Sequence, residues 1–277
     1  MKVTLTKHHG LGNDFLVLDL EQLDLQVASG ASWPGHARTW CDRSTGIGAD
    51  GLLLLGRGDD NHLTMKLFNQ DGSSAEMSGN GIRCLAQAAY MHESRTGAVV
   101  YTVHTNAGEC RVEVTPDDSL PNLVQASVDM GAIEPLTEPN NWGAIGCDSG
   151  RPVMHVSVGN PHTVVGVEDV RAVNLLELGL KVPQINLEII EPGPEDNAIT
   201  MRVHERGAGI TQACGTGACA SAWAAVKWGL VAPQTDEVLV HMDGGDARVR
   251  VNSPAPGRVT LIGPAEYLYD TTAEMTL

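Results

Sequence analysis

The chain carries one stretch twice. Met65-Lys66-Leu67-Phe68-Asn69 lines up with Met201-Arg202-Val203-His204-Glu205. At the same offset of 136 positions, Ser78-Gly79-Asn80-Gly81 lines up with Cys214-Gly215-Thr216-Gly217. An Ala-rich segment follows each, Ile82–Tyr90 and Ala218–Lys227. A second echo follows in the same order, with His104–Glu109 before Arg111–Val114 and His241–Asp246 before Arg248–Val251. A third pair, Gly12-Asn13 and Gly159-Asn160, opens an apolar run in each half. Three echoes in one order mean two similar domains, far outside the short periods of solenoids. The length of 277 residues supports two modest cores.

The pattern predicts an α/β (α+β) fold with two pseudo-symmetric domains. Each is a mixed, mostly antiparallel sheet wrapped around one central helix, over 79–91 and 217–228. Turn-rich Pro116–Pro121 and Glu134–Asn141 bracket the join. The expected domains are 1–125, with the tail 265–277 returning to it, and 126–264. Strands are expected at 3–20 (two, around a turn), 52–55, 63–69, 99–104, 110–115, 123–129, 153–158, 163–167, 201–204, 237–242, 247–252 and, last, 258–262, and 182–187 is expected to enter a further one. Trp33-Pro34-Gly35 reads as a turn, 36–42 as a short helix and 174–180 as a helical turn.

Each Ala-rich helix begins on a glycine turn, and the second has a glycine cap at Gly229. Unpaired backbone N–H groups and a positive dipole mark a helix mouth. Such a mouth binds a carboxylate, and it is expected to lower the pKa of the Cys214 thiol. Ser78 is a good N-cap at the other mouth. Two mouths facing each other, with a thiol at one and a hydroxyl at the other, would cage one carboxylate. That suits removal of a proton next to a carboxylate and its return from the opposite face, as amino acid racemisation and epimerisation require. The α-hydrogen is weakly acidic, so preorganised N–H groups would have to stabilise the carbanion.

Other classes are disfavoured. A net charge of −16 argues against nucleic acid and anionic membranes as partners. None of the six cysteines forms a C-x-x-C pair, so neither zinc nor another metal is expected, and the thiols read as reduced. Met1–Gly10 has no apolar core, so no signal peptide is expected and the chain reads as cytoplasmic. Gly46-Ile47-Gly48-Ala49-Asp50-Gly51 matches G-x-G-x-x-G, but the strand-like Leu52–Leu55 follows where a dinucleotide fingerprint needs a helix.

The chain resembles the diaminopimelate epimerases along essentially its whole length. The resemblance rests on His9–Phe15, Gly46–Asp50, Asn69 with Asp71-Gly72, Gly79-Asn80-Gly81, Gly159–His162, Glu205-Arg206-Gly207 and Ala213–Gly217. It implies interconversion of LL- and meso-diaminopimelate, on the route to lysine and peptidoglycan, without pyridoxal phosphate, metal or other cofactor. It also implies two catalytic cysteines, one per domain, and a homodimer is the expected assembly. Cys214 matches the second-domain cysteine. Asn13, Asn69, Asn160 and Asn186 match amides that hold the distal, non-reacting end of the substrate. Arg206 matches the arginine for the distal carboxylate, with Glu205 beside it. Gly79-Asn80 and Gly215-Thr216 match the backbone that holds the reacting carboxylate, and His162 takes a supporting role. The chain departs from the pattern at one place, where Ser78 stands for the first cysteine. Two alternatives stay open, a proline or hydroxyproline epimerase of the same fold and a non-catalytic amino acid binder.

Overall fold

The computed structural model describes residues 1–232 and 234–275. Two helices, Gly79–His92 and Gly215–Trp228, are the most deeply buried elements. In the first, every residue from Gly79 to Tyr90 is buried, which only a helix enclosed on all sides permits. Small side chains make this possible, since Ala86, Ala88 and Ala89 in one and Ala218, Ala220, Ala222, Ala224 and Ala225 in the other let strands approach closely.

By contacts the chain divides into two units, Met1–Val128 with the chain from Gly263 onward, and Asp129–Ile262. In the first unit, Lys2–Gly10 pairs antiparallel with Asn13–Asp19, which runs parallel to Gly51–Arg57. Antiparallel His62–Asn69 follows, then Val99–Thr105 parallel to it, then antiparallel Gly108–Pro116 and Leu123–Ala132. The last strand, Arg258–Glu274, pairs with both Lys2–Gly10 and Leu123–Ala132 and closes this sheet into a barrel. The second unit repeats the order with Val153–Ser157, Pro161–Gly166, Asn186–Pro192 (parallel), Ala198–Glu205, Val238–Met242 (parallel) and Gly245–Val251. Each central helix touches the strands of its own unit.

Burial patterns follow from layering. Gly51–Arg57 is buried over five consecutive residues, not at alternate ones. One face meets the central helix. The other meets an outer cluster of Val3, Leu5, Leu16, Leu18, Ala37 and Trp40, contributed in part by the helix Trp33–Trp40. A strand covered on both faces reads as a continuous apolar run. Gly108–Pro116, with one face open, alternates instead.

Two local expectations are corrected, and two short strands are added. Trp33-Pro34-Gly35 opens a helix instead of making a turn, because proline is tolerated in a first helical turn, where its missing N–H has no partner to lose. The short strands Ser74–Ala75 and Gly209–Thr211 were not legible, each being too brief for a periodic signal. The last strand does not stop at 262 but runs on to Glu274. Gly263-Pro264 looks like a breaker, but the glycine answers a space requirement: a Cβ there would sit 3.1 Å from Arg83 Cζ. The expected tail reaches 277, and its last two residues lie outside the described ones.

His8 is fully buried between Gln87, at 2.8 Å, and Thr6, at 2.9 Å. Burial holds its pKa down, from 6.5 to about 4, against a smaller upward pull from the Gln87 hydrogen bond. The folded state therefore binds a proton less readily than the unfolded chain. The stabilisation is complete above about pH 6.5 and is lost as pH falls toward 4, amounting to about 3 kcal/mol in full. His8→Gln is expected to flatten this loss. Melting temperatures at pH 7 and pH 4.5 check it, and equal losses in parent and variant would assign the acid sensitivity elsewhere.

Candidate active site

The two central helices begin alike. Ser78 is the N-cap of the first, extended at φ −142° and ψ 123°, and its Oγ accepts from Gly81 N–H at 3.0 Å. Cys214 is the N-cap of the second, at φ −130° and ψ 113°, and its Sγ accepts from Gly217 N–H at 3.4 Å. One turn geometry thus presents a hydroxyl in one unit and a thiol in the other. In both, the remaining N–H groups of the first turn have no partner within the helix.

In the first unit, the strand ends bring the sequence-predicted residues to one edge of the sheet. Asn13 begins its strand, Gly51 begins the next, and Asn69 ends the one after, opposite Gly51. Asn80 reaches this edge from the helix mouth, with Nδ2 3.2 Å from Asn13 Oδ1. Asn69 is exposed, and its amide donates to Ser73 Oγ at 3.0 Å.

In the second unit, a continuous chain of polar groups runs to the thiol. Glu188 and His162 are fully buried, with Oε1 and Nδ1 2.6 Å apart. His162 Nε2 meets Asn160 Oδ1 at 2.8 Å, and Asn160 Nδ2 reaches Thr216 Oγ1 at 3.4 Å. Thr216 Oγ1 lies 3.5 Å from Cys214 Sγ. The Glu205 carboxylate, which accepts from the Thr211 hydroxyl, also acts electrostatically on the thiol. Asn186 sits below the following turn, buried, accepting Arg206 N–H at 2.9 Å and donating to Pro161 O at 3.1 Å. Arg206 itself is exposed, and its guanidinium makes no hydrogen bond or ion pair among the described residues.

The expected lowering of the Cys214 pKa is reversed. Burial pushes the thiol well above its ordinary range, and the nearby Glu205 and Glu188 carboxylates push it further. The Thr216 hydroxyl and the Gly217 N–H oppose this but do not prevail. A helix mouth lowers a thiol pKa only when desolvation and like charge do not outweigh it. Burial also raises the Glu205 carboxyl, so thiol and carboxyl are both biased toward their protonated forms.

Glu188 was missed from sequence. Its only signal is a carboxylate within the apolar run Asn186–Pro192. Its Oε2 has no hydrogen-bond partner among the described residues, and its Oε1 packs where a Cβ at Gly217 would lie 2.8 Å away. A carboxylate beside the first turn of a helix is favoured by the dipole there.

This architecture, strands around one buried helix in each of two like units, recurs in solved epimerases and isomerases. A protein described as a predicted epimerase from Pseudomonas aeruginosa matches with a TM-score of 0.75 at 18% identity, covering 99% of this chain and 100% of that one. A hydroxyproline epimerase from Agrobacterium vitis matches with a TM-score of 0.69 at 16% identity, covering 98% and 91%. These likenesses define the fold. Sequence defines the family. The diaminopimelate epimerase profile matches residues 5–134 and 154–268. The diaminopimelate epimerase of Thermosynechococcus vestitus is 37% identical, with 98% of this chain and 99% of the relative covered. Diaminopimelate epimerase 1 of a Nostoc species is 39% identical, over 97% and 99%. The chain belongs to the diaminopimelate epimerase family.

Proposed function

We infer that the protein is an isomerase that interconverts LL- and meso-diaminopimelate in lysine biosynthesis. The observation that carries the inference is the pair of like helix mouths, capped by Ser78 and Cys214, in a chain of this family. The backbone of Gly79-Asn80 and Gly215-Thr216 holds the reacting carboxylate, and N–H groups aimed at developing negative charge stabilise the carbanion. Cys214 handles the α-proton for one stereoisomer and Ser78 for the other, and Glu205 contributes to substrate binding beside Arg206. Asn13, Asn69, Asn160 and Asn186 order the distal end of the substrate, and Arg206 pairs with its carboxylate. His162, held between Glu188 and Asn160, keeps the Asn160 amide in place. The reaction runs on these protein groups without pyridoxal phosphate, in the cytoplasm, in a homodimer.

The test is α-proton exchange in deuterated water, followed by NMR with separation of the stereoisomers. Exchange and inversion of diaminopimelate, with none of trans-4-hydroxy-L-proline, is the expected result. Faster turnover of hydroxyproline would overturn the substrate assignment. Binding of diaminopimelate without exchange would make the protein an amino acid binder. Sedimentation of the purified protein tests the homodimer.

A further inference from the structure

The first unit contains a chain of side chains that fixes which way round the Asn13 amide sits. It begins at Arg83, which is fully buried on the central helix. The guanidinium donates to Gly79 O at 3.0 Å, Pro264 O at 3.1 Å and Asn80 Oδ1 at 2.7 Å. It lies flat in a slot that two glycines leave open, since a Cβ at Gly10 would meet Nη2 at 3.0 Å and one at Gly263 would meet Cζ at 3.1 Å. From Asn80 the chain passes to Asn13 Oδ1, which accepts from Asn80 Nδ2 at 3.2 Å. It ends at Asp50, whose Oδ2 accepts from Asn13 Nδ2 at 2.7 Å and from Asp14 N–H at 3.0 Å. Asp50 is held in turn by Arg43, at 2.7 Å from its other oxygen.

The two ends of this chain have opposite and fixed polarity. A guanidinium can only donate, and a carboxylate can only accept. Arg83 therefore requires the Asn80 oxygen to face it, which turns the Asn80 NH₂ toward Asn13. Asn13 must answer with its oxygen, which turns its own NH₂ toward Asp50. Flipping either amide would set donor against donor at one contact and oxygen against oxygen at the next. After these bonds, Asn13 keeps one N–H and one lone pair for a ligand.

We propose that Asp50 and Arg83 are positioning residues that lock the Asn13 amide in the orientation that presents its remaining N–H to an oxygen of the substrate. The proposal rests on the diaminopimelate reading, in which Asn13 holds the distal end of the substrate. Uniform binding of that kind appears in KM and not in kcat.

A double-mutant cycle tests the lock. Asp50→Ala removes the acceptor altogether and is expected to raise KM for diaminopimelate roughly ten- to a hundredfold, the worth of a hydrogen bond to a charged group, with kcat changed less than about twofold. Asn13→Ala is expected to raise KM comparably, and Asp50→Ala in that background to add almost nothing, because coupled residues are not additive. A structural role alone would lower the active fraction and hence apparent kcat, leaving KM unchanged. That outcome, or equal KM effects in both backgrounds, would overturn the lock. A measurement on the parent needs no variant at Asp50. The Asn13 side-chain NH₂ signals, assigned by their loss in Asn13→Ala, should exchange slowly with solvent, and fast exchange of both protons would overturn the proposal. If the parent turns over diaminopimelate and the cycle is additive, the lock fails alone. If the parent neither binds nor exchanges diaminopimelate, the functional reading fails and takes the lock with it.

Discussion

Ser78→Cys is expected to raise the rate of diaminopimelate inversion roughly 10²–10⁴-fold, the usual worth of a well-matched general acid or base. The backbone is ready for the exchange. Ser78 and Cys214 hold nearly the same φ and ψ, and each accepts the N–H three residues on. A thiol at 78 therefore takes up a geometry that the second unit already supports with sulfur. Chemically the two groups differ greatly, since a free thiol has a pKa of about 8.5 and a hydroxyl is hardly ionised near neutral pH. Ser78 can hand over a proton slowly, but it is a poor base. Half-reactions in the parent should then separate, with the stereoisomer whose α-hydrogen is served by Cys214 exchanging it, often without inversion. The other stereoisomer should exchange slowly, and Ser78→Cys should bring the two together. Both directions of turnover must rise together, because the equilibrium constant is fixed. Loss of the serine cap costs on the order of 1 kcal/mol at most, so a melting curve separates stability from chemistry. Equal exchange of both stereoisomers in the parent, with no gain from Ser78→Cys, would make serine a competent base and defeat this account.

Arg206→Ala should raise KM for diaminopimelate by roughly thirtyfold to several thousandfold while leaving the fold intact. Arg206 stands on the turn after Ala198–Glu205, and its backbone N–H is pinned by Asn186 Oδ1 at 2.9 Å. The main chain is thus fixed by a buried amide, while the exposed guanidinium has no carboxylate partner among the described residues. A planar fork of donors suits a carboxylate bidentately. Removing one partner of such a pair costs on the order of 2–5 kcal/mol when the pair is desolvated on binding. Because the side chain packs on little, melting should shift only by what surface substitutions usually give, about 0.5 kcal/mol. Arg206→Lys should recover only part of the affinity, since an ammonium lacks the fork. Titration calorimetry with diaminopimelate and steady-state KM check both variants, and near-parent affinity in Arg206→Ala would remove Arg206 from the distal carboxylate.

Sequence by itself determined what depends on neighbours along the chain. The duplicated run of strand, glycine turn and helix is local, so matching residues give matching elements: His62–Asn69 and Gly79–His92 in one half, Ala198–Glu205 and Gly215–Trp228 in the other. Cys214 at a helix mouth, Ser78 as a cap and Gly229 as the left-handed end, at φ 72°, were legible for the same reason. The mixed sheet around a buried helix followed from Ala-rich helices between short apolar strands. Tertiary structure decided what depends on burial and on partners distant in sequence. Glu188 joins His162 because their strands run parallel and adjacent, not because of any spacing a motif could show. Asp50 reaches Asn13, and Arg83 sets the slot at Gly263, through pairings between residues far apart in the chain. The Cys214 thiol is pushed up instead of down because the fold buries it and places two carboxylates close by. Local geometry promised one direction, and desolvation, a property of the packed interior alone, set the other.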